Sequence, residues 1–423
     1  MGNGITPKNM KYPINAMITI IINKVVYRIF IKLNFSPKKS IISILSSSSG
    51  EPIFDIFCFL LTILFIEFFN CFLIFEMKTV LFYAIFFYGN ICRQSFFIMF
   101  IKKELKQYIE SRPKSKKEWE KAIRVLPGGI SHNIRTFELN RIGAFPPIIK
   151  SAKGAYITDI DNNKYIDCWM GHFAMIIGHN HPEVLIAIKQ QLERGWHLGV
   201  LTDLQINLAE MIINDNPGIE MLRFCTSGTE ATMYATRLAR AYTNRKLIAK
   251  ALLGWHGAND TLYYGVGTLN KDQIPPGLRP PTDAGILTYE INTNEIFDLI
   301  ASHSKDLAAV ILEPMLGGGG GFRADLEFLK RLREETEKHG ILLIFDEVIT
   351  GYRFRNSLFQ NELKIIPDLT TMGKIIGGGL PIGAIGGRKD IIERSRPLSE
   401  NQILIGGGTF SGYPLSMAAG MKT

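Results

Sequence analysis

From Pro182 onward the chain alternates helical patterns with short, wholly apolar runs, and this alternation constrains its fold more than any other feature. In Pro182–Arg194 the apolar residues Val184, Leu185, Ile188 and Leu192 recur at helical spacing, whereas Ala308–Leu312 and Ile341–Phe345 are uninterrupted apolar segments of strand length. A strand without a polar face must be buried on both sides, which a parallel sheet covered by helices provides. The order predicts βαβ units and therefore an α/β fold, a mostly parallel sheet with helices on both faces. Ligands of such sheets bind beyond the carboxyl ends of the strands, so the residues directly after the apolar runs should carry the chemistry.

Upstream the texture changes twice. Residues 1–104 form an apolar, low-complexity leader in which Ile53–Phe75 and Val80–Phe100 each reach the roughly 20 residues that a bilayer crossing needs. Asp55 and Glu67 interrupt the first run, and no small-residue cleavage site of a signal peptide follows. The leader thus reads either as a membrane hairpin or as an over-extended gene start, with the protein beginning near Met77 or Met99. From Lys102 a charged helical stretch runs to a stop at Pro127-Gly128-Gly129, and Gly154–Asp167 alternates around Asp161-Asn162-Asn163 as a β-hairpin does. Residues 105–160 read as the entry segment and residues 161–423 as the large ligand-binding domain.

Charge and cysteine content narrow the partners. Residues 1–110 hold 12 Lys+Arg against 6 Asp+Glu, so most of the net +9 belongs to the leader, and the basic residues of the rest are interleaved with acids. Such a distribution excludes a nucleic-acid footprint. The 5 cysteines form no C-x-x-C pair and point to a reducing, cytoplasmic setting, with membrane association only if the leader is part of the protein.

Three segments follow apolar runs and carry reactive residues. Phe224-Cys225-Thr226 leads through Ser227-Gly228-Thr229-Glu230-Ala231 into a helical run, which offers free backbone amides to a phosphate, or else is an ordinary capped helix start. Ile341–Phe345 ends on Asp346-Glu347, followed by Val348. A buried acid there needs a partner: a pyridinium nitrogen, a Mg²⁺ ion or solvent, and no phosphate loop of the G-x-x-x-x-G-K kind supports Mg²⁺. Within Asp368–Gly387 the single Lys374 stands before glycine-dense loops, either as an amine nucleophile in a dry site or as a surface lysine. Histidines 172, 179 and 181 lack the geometry of a metal centre, and none is expected; a structural role at a helix entry suits His179 and His181 better.

In order along the chain stand Leu126-Pro127-Gly128-Gly129, Gly178-His179-Asn180-His181-Pro182, Ser227–Ala231, Trp255-His256-Gly257, Glu313-Pro314, Asp346–Arg353, Gly373–Gly387 and Gly408–Pro414. Through these motifs, over roughly residues 115–420, the sequence resembles the class-III (ornithine-type) aminotransferases of fold type I, and within them the glutamate-1-semialdehyde aminomutase branch. The resemblance implies a pyridoxal 5'-phosphate (PLP) enzyme that transfers an amino group on an amino acid or amino aldehyde. Lys374 would be its Schiff-base lysine and proton shuttle. Asp346 would pair with the pyridine nitrogen, Val348 and Trp255 would cover the two ring faces, and His256 would line the cofactor pocket. Ser227, Gly228 and Thr229 would bind the phosphate, with Thr409 reaching across a homodimer. Arg135, His172 and Glu313 would face the substrate.

Two positions depart from the aminomutase pattern: His172 stands where that branch has a tryptophan, and Gly318 where it has an asparagine. Transaminase, aminomutase and racemase therefore stay open. The family also continues into a small C-terminal domain that this sequence lacks, which leaves a further reading as a truncated, membrane-tethered and catalytically silent product.

Overall fold

The computed structural model describes residues 102–423, and the apolar runs Ile53–Phe75 and Val80–Phe100, with Met77 and Met99, lie outside them. Among the described residues no helix is long and apolar enough to cross a membrane. Glu104–Thr423 forms one unit.

The charged stretch after Lys102 is two helices rather than one. Helix 102–110 ends before Arg112, whose backbone is non-helical (φ −134°, ψ 52°), and a second helix, Pro113–Val125, starts on the proline. The ring of Pro113 disfavours helical geometry at the residue before it, yet its fixed φ suits the first turn of a new helix. Asp161 caps that helix from the neighbouring hairpin, accepting the amides of Lys114 and Ser115 at 2.8 Å each. The hairpin is part of a small antiparallel sheet, β1 (Ile149–Lys153), β2 (Tyr156–Asp159) and β3 (Lys164–Ile166). Its turn contains Asn162 at φ 71°, a left-handed conformation that asparagine tolerates.

The main sheet has seven strands. In chain order they are β4 (Met221–Cys225), β5 (Leu247–Ala251), β6 (Ile286–Tyr289), β7 (Leu307–Leu312), then, after a short ribbon of β8 (Met315–Leu316) and β9 (Phe322–Arg323), β10 (Leu342–Asp346), β11 (Leu369–Gly373) and β12 (Gly383–Gly387). Their order across the sheet is β4-β12-β11-β10-β7-β5-β6, with only β12 antiparallel to its neighbours. The two-residue period of the strands divides the core. Leu342 and Ile344, with Ala309 and Ile311, pack with Ala231, Tyr234, Ala235 and Leu238 of the helix Gly228–Thr243. Leu343 and Phe345, with Val310 and Leu312, pack on the other face with Ile296 and Ile300 of Glu295–His303 and Leu329 and Leu332 of Leu326–Lys338. The same parity sends Asp346 toward the Gly228–Thr243 helix and Glu347 to the opposite face.

Glu347 is buried and accepts the amides of Phe359 at 2.5 Å and Gln360 at 2.9 Å, capping the short helix Phe359–Leu363. Burial pushes its carboxyl up to about 7, with the amides opposing the shift. At the other end of the strands, Asp368 accepts the Leu343 amide and one guanidinium nitrogen each from Arg333 and Arg388, all at 2.8 Å. It thereby joins β10, β11, β12 and the helix Leu326–Lys338. Asp368→Ala would remove the acceptor of the Leu343 amide and the close partner of Arg333, while Arg388 keeps Asp390 at 2.7 Å, so we expect a loss of about 2–3 kcal/mol in urea denaturation. A loss below about 1 kcal/mol would show the network to be dispensable.

Candidate active site

Asp346, the last residue of β10, is 3% exposed. Its Oδ1 accepts the Val348 amide at 3.1 Å and the Thr371 hydroxyl at 3.0 Å, and its Oδ2 meets His256 Nδ1 at 2.8 Å. Thr371 is placed there by strand register, since it stands opposite Asp346 on β11. A carboxylate offers about four acceptor positions; three are taken, and one remains for a further donor. Burial, the largest effect, lowers the pKa of His256 against the pull of Asp346, so the imidazole is neutral and its Nδ1 hydrogen is the one that points to Asp346.

The segment after β4 forms a full capping box: Ser227 Oγ accepts the Glu230 amide at 3.2 Å, and Glu230 Oε2 accepts the amides of Thr226 and Ser227 at 2.6 and 3.1 Å. The amides of Gly228 and Thr229 make no hydrogen bond with the described residues. The capped start is therefore present, and the box satisfies one set of amides while leaving the next two open at the positive end of the dipole. Val348 lies over this start, its methyl carbons 3.0 and 3.1 Å from where a Cβ on Gly228 would stand. The turn is seated on β12 through Gly383, where a Cβ would meet the Ser227 carbonyl oxygen at 2.2 Å. The glycines of Gly373–Gly387 thus serve close packing within the protein.

Lys374 follows β11 directly with a left-handed φ of 48°, and its Nζ has no hydrogen bond or ion pair with the described residues. Burial lowers its pKa below the usual lysine range, the carboxylates of Asp346 and Glu313 oppose that shift, and the Arg353 guanidinium adds to it. Facing it is a left-handed turn, Met170–Phe173, in which four successive residues have φ between 45° and 68°. Left-handed backbone costs a non-glycine residue roughly 1–2 kcal/mol, so this turn needs outside support. Asp167 Oδ1 accepts the amides of Trp169 and Met170 at 2.8 and 2.9 Å, and His179 Nε2 holds its other oxygen at 2.6 Å. Arg353 donates to the Phe173 carbonyl at 2.5 Å. On this turn His172 stacks on Trp169, 4.6 Å between ring centres, and meets His132 edge-on at 4.8 Å. Its pKa falls to about 4, first through burial and then through Lys374, His132 and Arg135.

The structure thus brings together Asp346, His256, Val348, Lys374, Gly228, Thr229 and Trp255, with His172 beside Lys374. Trp255 and His256 sit on a turn whose glycine, Gly257 at φ 85°, lies against Thr229; a Cβ there would be 2.3 Å from Thr229 Oγ1. Arg135 is exposed on the one-turn helix Asn133–Thr136, near enough to lower the pKa of His172. Thr409 is exposed on the loop after Gly408, and Gly408 lies against Thr226 and Glu230. Glu313, expected beside the substrate, is instead 2% exposed, with both oxygens on backbone amides: Trp255 at 2.8 Å and Gly317 at 3.0 Å. Burial, then Asp346, raises its pKa. Arg353, Asp167, Thr371 and Lys250 were not singled out from the sequence. Arg353 lies inside a quoted motif, but the roles of the other three depend on register and turn geometry.

Residues 140–423 match the family Aminotransferase class-III. The glutamate-1-semialdehyde 2,1-aminomutase of Thermoplasma volcanium is 45% identical over 310 residues, which cover 72% of each chain. Among solved structures, an omega-transaminase from Sphaerobacter thermophilus is 35% identical with a TM-score of 0.67, over 73% of this chain and 71% of that one. A β-phenylalanine aminotransferase from Variovorax paradoxus is 32% identical with a TM-score of 0.68, over 75% and 70%. With a seven-stranded sheet whose strand tips gather a buried lysine, an aspartate and a capped helix start, the chain belongs to the class-III aminotransferase family.

Proposed function

We propose that the protein moves an amino group on an amino acid or amino aldehyde, with Lys374 as the residue that holds PLP covalently. The enzyme is of the transaminase type and PLP is its cofactor. The observation that carries the reading is the meeting of three strand ends. The open amides after β4, the partly satisfied carboxylate ending β10 and the unpaired amine after β11 suit the phosphate, the ring nitrogen and the aldehyde carbon of one planar molecule.

Bound there, PLP supplies an electron sink that makes the substrate Cα–H acidic. The side chains divide the rest of the work. Asp346 keeps a proton on the ring nitrogen, and Thr371, Val348 and His256 hold its oxygens in place. Val348 and Trp255 cover the two ring faces and exclude water. Gly228 and Thr229 bind the phosphate, with Ser227 shaping the turn and Thr409 of a second copy completing the cradle in a homodimer. Lys374 Nζ would hold the aldehyde carbon and, as a free amine, would remove and return the Cα proton; its lowered pKa favours the neutral amine that this requires. Arg135 receives a substrate carboxylate through paired hydrogen bonds, and neutral His172 packs against the substrate. The free thiols Cys168 and Cys225 favour a cytoplasmic setting.

A second reading, glutamate-1-semialdehyde aminomutase, is favoured by the 45% identity to such an enzyme. An aminomutase keeps the amino group on its own product, so it turns over without an added keto acid, whereas a transaminase stalls after one half-reaction.

The first test is absorbance with added PLP. A band at roughly 410–430 nm, trapped by borohydride and lost in Lys374→Ala, is expected; a folded protein without the band would overturn the reading. Asp346→Asn should lower kcat by roughly 10²–10⁴-fold while PLP still binds. The pH dependence has a definite sign. The Glu313 carboxylate favours the charged ammonium of Lys374, so Glu313→Gln makes the neutral amine available at lower pH. The pH at which covalent attachment is half complete should therefore move toward acid in a spectral titration, and an alkaline shift would contradict the electrostatic account.

A further inference from the structure

One amide in the site is held at both poles by buried ionisable groups. Lys250, on β5, is 0% exposed and donates from Nζ to the Gly254 carbonyl at 3.0 Å and the Tyr264 carbonyl at 2.6 Å. Glu313 accepts the Trp255 amide through Oε1 at 2.8 Å. The Gly254 carbonyl and the Trp255 N–H are the two ends of a single planar peptide unit. A donor amine at its oxygen end and an acceptor carboxyl oxygen at its hydrogen end favour the same orientation of its dipole. Lys250 makes no ion pair with the described residues, so its link to Glu313 runs through that amide. Burial brings the Lys250 amine down to about 7, and the attraction of Glu313 opposes the fall. A methionine would fill nearly the same volume without the cost of burying a charge, so what the lysine adds is its donors.

The held amide sets the direction in which Trp255 leaves the backbone. Residues beyond it have other ties: His256 to Asp346, the His256 carbonyl to Thr232 Oγ1 at 2.6 Å, and the Ala258 amide to Thr229 Oγ1 at 3.3 Å. At the entry the Leu253 amide donates to the Gly265 carbonyl at 2.8 Å and the Gly254 amide to the Ala251 carbonyl at 3.3 Å, while the Gly254–Trp255 amide itself is held by Lys250 and Glu313. Gly318, which has no side chain, lies against the Trp255 Cβ, and Tyr263 meets the indole edge-on with ring centres 5.7 Å apart.

We infer that Lys250 is a positioning residue that aims the Trp255 indole at the cofactor ring through the Gly254–Trp255 amide, with Glu313 as its counterpart. The inference rests on the PLP reading above. The test uses the full chain with Lys250→Met and Lys250→Gln, read by amide hydrogen exchange across the 252–266 segment without PLP and by circular dichroism of the cofactor band with PLP. In Lys250→Met the Trp255 amide should exchange about tenfold faster, and the band's ellipticity should fall by about half or more at unchanged absorbance. Lys250→Gln keeps one neutral donor and should fall between that variant and the wild type. Exchange and ellipticity both unchanged in folded Lys250→Met overturn the inference. If that variant does not fold, Lys250→Gln decides alone, wild-type values again overturning it. A wild type that forms no cofactor band removes the PLP reading and this inference with it. That outcome is distinct from failure of the inference alone, in which the wild-type band forms and the variants leave both readings unchanged.

Discussion

A buried carboxylate at the tip of a central strand has to be satisfied, and the site is built around satisfying Asp346. Such a charge costs several kcal/mol unless hydrogen bonds and partners offset the loss of water. Here the offset comes from three directions: the next turn of chain through the Val348 amide, the adjacent strand through Thr371, and the turn after β5 through His256. Each partner fixes something else. Val348 lies against Gly228, Thr371 stands two residues before Gly373 and three before Lys374, and His256 follows Trp255. Satisfying one acid therefore sets the relative positions of the Gly228 and Thr229 amides, Lys374 and the Trp255 turn.

Around this hub the protein stores strain where side chains must point inward. Met170–Phe173 and Lys374 adopt left-handed backbone that L residues avoid, and the groups that hold the turn are themselves charged or strongly polar: Asp167 with His179, and Arg353. Strained backbone persists only where its surroundings over-determine it. The same economy appears in Glu347, whose carboxyl caps a helix on the far face while its neighbour serves the site. Adjacent acids on one strand thus take unrelated roles, because the strand's period places them on opposite faces.

Much of this was legible in the residue pattern. The hairpin, the helix Pro182–Arg194 and the strands ending near Leu312 and Phe345 all lie where the apolar spacing put them, within two residues at their ends. The break before Pro113 was missed although the proline announces it, because the charged residues on both sides continue the helical pattern. The resemblance placed Glu313 beside the substrate, whereas here its oxygens turn to backbone amides. Position after a strand tells that a residue is near the site, and does not tell which way its side chain faces.

The sequence by itself determined the class of fold and the family, and it pointed to Lys374 and Asp346 as candidates, because apolar periodicity and ordered motifs are local properties. Only the tertiary structure decided which groups satisfy them. Thr371 meets Asp346 through strand register, Lys250 and Glu313 share an amide between β5 and β7, and His179 supports the Met170–Phe173 turn through Asp167, twelve residues before the histidine. These pairings depend on how distant segments pack, and a buried polar group accepts whichever partner the packing brings within about 3 Å.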